Sequence, residues 1–257
     1  MGETERGTIM DLGLNGRTVI VTGATGGIGQ HIARGFAAEG AHVVLTYHSA
    51  KEAAELLAKE LEATAVRYAL DEPDSATDLV RAALDRTGRI DVLVNNAVHW
   101  GGDALNQGPY EGLADDEWLA VVRHNVEGAI RLSREVAPAM RERRFGRMVH
   151  VSSSIATDGL AGGEYYGAAK AALHGFSRSA AFNLGRDGDI LSNVVMPGLT
   201  RTERNAHIVA AAGDTIAALT PIGRLLDAPE VANAIVYLGS AANTGITGQV
   251  MAVTGGM

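Results

Sequence analysis

The chain has 257 residues and not one cysteine. That absence excludes disulfides, thiolate metal sites and cysteine nucleophiles together. No apolar run approaches the roughly 18 residues that a membrane span needs, so no membrane partner is expected. Met1 to Asp11 has no apolar stretch of the signal-peptide kind. The expectation is a flexible tail over residues 1–13, a folded unit over 14–257 and, with no export signal, a cytoplasmic setting. There are 6 prolines, and neither a proline- or serine-rich linker nor an internal repeat divides the chain. One domain is therefore expected.

Positive charge is also in short supply. Lys and Arg number 22 against 30 Asp and Glu, a net charge of -8, which argues against a nucleic-acid partner. The clearest basic cluster, Arg141-Glu142-Arg143-Arg144 with Arg147, reads as a solvated helix end whose cations suit the C-terminal dipole.

What the chain does have is 46% hydrophobic residues and 32 glycines, enough for a large core without staples. Strand-like and helix-like stretches alternate from Arg17 almost to the end. Short buried strands are expected at Thr18–Thr22, His42–Tyr47, Ala65–Leu70, Asp91–Val94, Met148–Val151 and Leu191–Met196. Helices are expected at Gly27–Glu39, Lys51–Ala63, Ser75–Arg86, Asp115–Arg143 and Glu164–Leu184. Continuous apolar strands separated by helices imply an α/β fold, a doubly wound parallel sheet flanked by helices on both faces.

Thr22-Gly23-Ala24-Thr25-Gly26-Gly27-Ile28-Gly29 falls between the first strand and the first helix. Glycines there let the backbone approach a pyrophosphate, whose charge meets the N–H groups at the helix N-terminus. Further on, Tyr166 and Lys170 are four apart in a helical stretch and share a face. A tyrosine near pKa 10 is a poor acid at neutral pH, and a neighbouring ammonium favours its phenolate. Tyr165 has Ala169 one turn along, so it reads as packing or pocket wall.

The T-G-x-x-x-G-I-G spacing resembles the short-chain dehydrogenase/reductase family, especially 3-oxoacyl-ACP reductase-like ketoreductases. The resemblance runs from about Leu14 to Gly256. It takes in Asp91-Val92-Leu93-Val94-Asn95-Asn96-Ala97, His124-Asn125-Val126, Val151-Ser152-Ser153, Tyr166-Gly167-Ala168-Ala169-Lys170, Pro197 to Thr202 and Ile246-Thr247-Gly248-Gln249. It implies a Rossmann-like single domain and a catalytic set of Ser153, Tyr166, Lys170 and Asn125. The family's serine lies thirteen residues before the tyrosine, which selects Ser153, with Ser154 as the runner-up. Asn125 resembles the asparagine that holds a proton-relay water. The reaction implied is hydride transfer to a carbonyl carbon while Tyr166 protonates the oxygen.

The cofactor implied is NADP (NADPH). Its site would take in Gly23, Thr25, Gly26, Gly27, Ile28 and Gly29 of the loop, then Tyr47, His48 and Ser49 after the second strand. Leu70, Asn96, Ala97, Tyr166, Lys170, Pro197, Gly198, Thr200 and Thr202 complete it. NAD enzymes place a carboxylate at the end of the second strand for the ribose 2′-hydroxyl. Leu45-Thr46-Tyr47-His48-Ser49 has none, while His48, Ser49 and Lys51 supply donors and charge. Against NADP, the glycine loop carries no arginine. Two other departures concern cofactor geometry: Val98 stands where the family has glycine, and Ala69 where it has an acid, with Asp71 displaced by two.

The loop from His99-Trp100-Gly101-Gly102 to Tyr110 looks longer than the family's minimal form. It would place His99 and Trp100 near the nicotinamide, where they contact an apolar or aromatic substrate or, in the alternative reading, the tryptophan simply packs. Glu203–Thr220 matches the family's variable lid. The partners expected are a small carbonyl or alcohol substrate and, from the resemblance, three further copies in a homotetramer. Two other readings stay open: a non-catalytic NAD(P)-binding sensor on the same fold, and an NAD-dependent alcohol dehydrogenase working oxidatively.

Overall fold

The structure is a computed structural model, and it describes residues 10–101 and 108–257. Seven parallel strands form the central sheet, in the order β3-β2-β1-β4-β5-β6-β9. They are β1 (Thr18–Val21), β2 (His42–Tyr47), β3 (Thr64–Arg67), β4 (Val92–Asn95), β5 (Phe145–Val151), β6 (Asp189–Pro197) and β9 (Val250–Val253). The helices are α1 (Gly29–Ala38), α2 (Lys51–Glu60), α3 (Pro73–Thr87), α4 (Asp115–Arg143), α5 (Ile155–Asp158), α6 (Glu164–Leu184), α7 (Ala206–Leu219) and α8 (Ala228–Leu238). A two-residue ladder joins β7 (Thr200–Arg201) to β8 (Leu226–Asp227).

Alternation along the strands divides the core in two. Val19 and Val21 join Ile32, Phe36 and Ile235 on one face, while Ile20 joins Leu79, Leu132 and Met140 on the other. That is the two-residue period of a sheet covered on both sides. The order reverses between β1 and β4, which pair directly. In such sheets, ligands bind in the crevice outside the strands' carboxyl ends at that switch point. The glycine loop, Asn96, Ser153 and Pro197 all lie at or just past strand ends, so the topology gathers them along one edge.

The expected doubly wound sheet is therefore the fold, with shifts at element ends. α1 begins at Gly29 rather than Gly27, because Gly23 to Ile28 are used in the turn. The third strand stops at Arg67, and Tyr68 adds only one bond, its N–H to the Tyr47 carbonyl at 2.8 Å. β5 and β6 begin three and two residues earlier than the apolar runs suggested, since Phe145 pairs with Asp189 in register. α8 was not singled out from the sequence. It begins at a capping box between Asp227 and Glu230 with proline in its first turn.

Arg147 corrects the reading of the basic cluster. Arg141, Arg143 and Arg144 are exposed at the end of α4, but Arg147 is fully buried. It lies on β5, where strand alternation turns its side chain inward. Its guanidinium donates to the Gly146, Asp189, Ser240 and Asn243 carbonyls at 2.7–3.1 Å and to Asp189 Oδ2 at 2.8 Å. It thereby pins β6 and the turn after α8 to the centre of the sheet. Asp91 makes a second buried knot at the amino end of β4, accepting from the Thr18 N–H at 2.8 Å and from Arg17 and Arg89. Truncating one side of a buried charged network strands its partners without donors. Arg147→Ala should therefore cost about 3–5 kcal/mol, read as a lower urea midpoint. A midpoint unchanged from wild type would show that these bonds add nothing to stability.

Candidate active site

The glycine loop is built where only glycine fits. Gly23 has φ +62°, and a Cβ there would lie 2.9 Å from Ala97 Cα. A Cβ on Gly29 would lie 2.2 Å from the Gly23 carbonyl oxygen, and one on Gly27 would lie 2.4 Å from Thr202 Cβ. The loop is thus folded tightly on itself and touched from above by the segment after β6. Thr22 Oγ1 donates to the Val94 carbonyl and accepts the Asn96 and Ala97 N–H groups at 2.9 Å. Asn96 Nδ2 returns bonds to the Thr22 and Gly23 carbonyls. α1 starts directly behind, so its N-terminal dipole faces the same crevice. A side-chain-free turn ahead of a helix N-terminus fits the pyrophosphate of a nicotinamide dinucleotide.

At the end of β2, Tyr47 is half-buried, and His48 and Ser49 are exposed; the stretch itself carries no carboxylate, and the one near enough to feel His48, Glu72, is paired with Arg67. Lys51 pairs with Glu55 at 3.6 Å along its own helix. Leu70 is half-buried against Gly128, and Asp71 is exposed. Val98 is exposed at the crevice. The residues of the 99–110 loop that fall at 102–107 lie outside the described residues.

Ser153 and Tyr166 meet. Ser153 is near enough to lower the phenol's pKa, while the larger effect, burial, raises it above the usual value. Ser154 caps α5 through its backbone, and Ser152 is turned inward to the Lys170 carbonyl and His174 Nε2. Of the three serines, Ser153 is the one whose hydroxyl influences the tyrosine. Lys170 is buried, its Nζ 5.6 Å from the Tyr166 ring centroid. Nζ donates to the Val151 carbonyl at 2.9 Å, and burial pushes its pKa down to about 8. Burial, not the neighbouring ammonium, therefore dominates the phenol's pKa. Desolvation outweighs the ammonium, which points at a carbonyl rather than at the phenol.

Asn125 is buried in α4 and spends its side chain on the loop after β4. Oδ1 accepts the His99 N–H at 3.2 Å, and Nδ2 donates to the His99 and Val121 carbonyls at 2.6 and 2.8 Å. Trp100 then stacks on Tyr166, with centroids 4.3 Å apart and planes 20° apart. Tyr165 takes a wall position, stacked on Trp118 and donating to the Tyr110 carbonyl.

The lid is a 3-10 turn over Glu203–Asn205 followed by α7. Thr200 and Thr202 sit at its base, where Asn205 bonds the Thr202 N–H and hydroxyl and the Thr200 carbonyl. A cavity of 580 Å³ lies between this base, Gly27 and the start of α8. Arg204 reaches from the turn to the Thr25 carbonyl at 3.2 Å. The sequence reading missed Arg204 and Asn205. The threonine followed three residues later by asparagine, ahead of an apolar helix, was the capping signal that marks Asn205. No local pattern marks Arg204, which lies 179 residues from its partner.

Comparison with known proteins agrees with this fold. The family described as enoyl-(acyl carrier protein) reductase matches residues 23–257. The chain is similar to the 3-oxoacyl-(acyl-carrier-protein) reductase of Escherichia coli strain K12, 35% identical over 250 residues covering 96% of this chain and 99% of that protein. It is 35% identical over 247 residues to an uncharacterised oxidoreductase of Mycobacterium bovis, covering 95% and 97%. Among solved structures, a short-chain dehydrogenase/reductase from Brucella melitensis, titled a glucose/ribitol dehydrogenase, superimposes with a TM-score of 0.86. It is 29% identical, covering 96% of this chain and 98% of that one. The class defined by fold and site is a nicotinamide-dependent oxidoreductase. The chain belongs to the short-chain dehydrogenase/reductase family.

Beneath the site, a buried polar chain crosses the sheet. Asn95 Nδ2 meets Ser133 Oγ and His150 Nδ1, each at 3.1 Å, His150 Nε2 meets Ser192 Oγ at 3.4 Å, and Ser192 meets Ser177 at 2.9 Å. Burial first, then the Lys170 charge, push His150 down from 6.5 to about 4. Folded His150 thus refuses a proton that the unfolded chain accepts. Its contribution is whole above pH 6.5 and lost as the pH falls toward 4, by up to about 3 kcal/mol. Urea midpoints measured across that range should fall with pH and flatten in His150→Asn. An equal slope in the variant would assign the pH dependence to other groups.

Proposed function

We propose that the protein is an NADP(H)-dependent reductase that converts a ketone, of the β-ketoacyl or another apolar carbonyl type, to a secondary alcohol. The observation that carries this reading is the meeting of Ser153, Tyr166 and buried Lys170 at the carboxyl edge next to the glycine loop, with Lys170 Nζ 5.6 Å from the Tyr166 ring centroid. The bound dinucleotide supplies the hydride. The glycine loop would hold its pyrophosphate, with Thr202 above, and Lys170 and Asn96 would border its nicotinamide half.

The protein's own part is position and proton. Tyr166, held protonated by burial, gives its phenolic proton to the carbonyl oxygen as the C=O π bond breaks and the new C–H bond forms. Ser153 donates to that oxygen as negative charge develops. Lys170 then faces a phenolate instead of a phenol, which restores the attraction that burial suppresses in the resting site. Asn125 keeps the loop bearing His99 and Trp100 closed against α4.

NADP(H) is favoured by the missing carboxylate after β2 and by Arg204. The lid arginine puts at the glycine loop the cation that the loop itself lacks. A cytoplasmic homotetramer is part of the reading. It is supported by Phe182, 75% exposed on α6, and by β9, which ends the sheet as an unpaired edge.

Oxidation of NADPH with a panel of ketones tests the reaction. Tyr166→Phe should lower kcat by about 10²–10⁴-fold while NADPH affinity stays within a few-fold. Tight NADPH binding with no turnover on any ketone would favour the non-catalytic sensor. Arg204→Ala should weaken NADPH binding about three- to tenfold, the range for one exposed charge-assisted bond. NADH binding as tightly as NADPH in the wild type would instead favour the NAD-dependent alcohol dehydrogenase.

A further inference from the structure

Aromatic residues make up only 5% of the chain, yet both tryptophans and three of the six tyrosines gather at the mouth of this site. Trp100 stacks on Tyr166, Trp118 stacks on Tyr165, and the Tyr165 hydroxyl is bonded to the Tyr110 carbonyl. Trp100 is held from both sides. The residue before it, His99, is clamped at its N–H and its carbonyl by Asn125. The residue after it, Gly101, turns the chain at φ +86°, where a Cβ would lie 2.9 Å from Val121 Cγ2. The indole is therefore laid on the tyrosine by its backbone.

A tryptophan that served packing alone would be covered. Trp100 is 48% exposed although it lies against Tyr166, which is itself buried. About half of the indole surface thus stays open while the ring lies against the tyrosine proposed as the acid. We propose that Trp100 selects a carbonyl compound bearing an aromatic ring on or next to the reacting carbon, the ring stacking on the open indole surface. The proposal rests on the reductase reading above and adds a substrate class to it. An aliphatic chain would cover the same surface, but without the quadrupole complementarity that offset or edge-on rings gain.

Two β-keto esters that differ only in a benzoyl or a butanoyl group test this with NADPH. The wild type should prefer the benzoyl ester by about tenfold in kcat/KM, the upper range for one aromatic pair. Trp100→Ala should bring the ratio close to one, chiefly through KM, and Trp100→Phe should retain most of it. Melting curves for both variants check that they fold. Equal ratios in wild type and Trp100→Ala, or a wild-type preference for the butanoyl ester, would overturn the proposal and leave the reductase reading standing. No turnover of either ester by an enzyme that binds NADPH would overturn both.

Discussion

The hydroxyl of Thr22, 1% exposed, makes three hydrogen bonds across the point where the strand order reverses. It joins the end of β1 to the end of β4, and much of the crevice depends on that join. With the Asn96 and Ala97 N–H groups held, Ala97 comes so close to Gly23 that no side chain fits there. The same bonds set where Val98, His99 and Trp100 begin. A phosphate cradle on one side and a substrate wall on the other are thus positioned by one buried oxygen. Losing it would leave two N–H groups without an acceptor, each at about 1–3 kcal/mol.

The catalytic groups are tied together in a second way. β5 carries Ser153 two residues past its last position, and α6 carries Tyr166 and Lys170. Strand and helix are joined by Lys170 Nζ on the Val151 carbonyl and by Ser152 on the Lys170 carbonyl and His174. Spacing alone says that a lysine lies one turn from the tyrosine. It does not say that both are dry. Dryness raises the phenol's pKa and lowers the ammonium's, which in the proposed reading suits the tyrosine to serve as the acid. Developing negative charge on the tyrosine is what would bring the pair into play.

How much of the molecule was legible in the sequence depends on how local each feature is. Strand alternation, the glycine turn and the i,i+4 pair on α6 are short-range patterns, and they locate the sheet, the cradle and the Tyr166–Lys170 face. Ser153 needed either the family register or its place beside Tyr166 in the fold, because three adjacent serines look alike in sequence. Arg147 was misread because charge suggests solvent, whereas its strand position points it inward to acceptors from residues up to 96 positions away. Arg204, Asn125 against His99, and Trp100 on Tyr166 are likewise tertiary meetings that no window of sequence contains.

The lid carries its cation beside a helix that the rest of the fold leaves largely uncovered. α7 is almost wholly apolar, with Asp214 as its only formal charge, yet only Gly213 on it is buried. Such a helix loses little by moving and gains by covering apolar substrate. The β7–β8 ladder joins the two ends of the lid, and the Asn205 knot couples the turn at its base, which carries Arg204, to the start of the helix. In the proposed reading, Arg204 at that base meets cofactor phosphate only when the lid rests on the glycine loop. An arginine in the loop itself would bind phosphate whatever the lid did. On the lid, the same bond couples cofactor binding to closure, because a ligand shifts an equilibrium by its differential affinity for the two states. Water is then excluded from Tyr166 when the dinucleotide is in place, which is when a dry acid is needed.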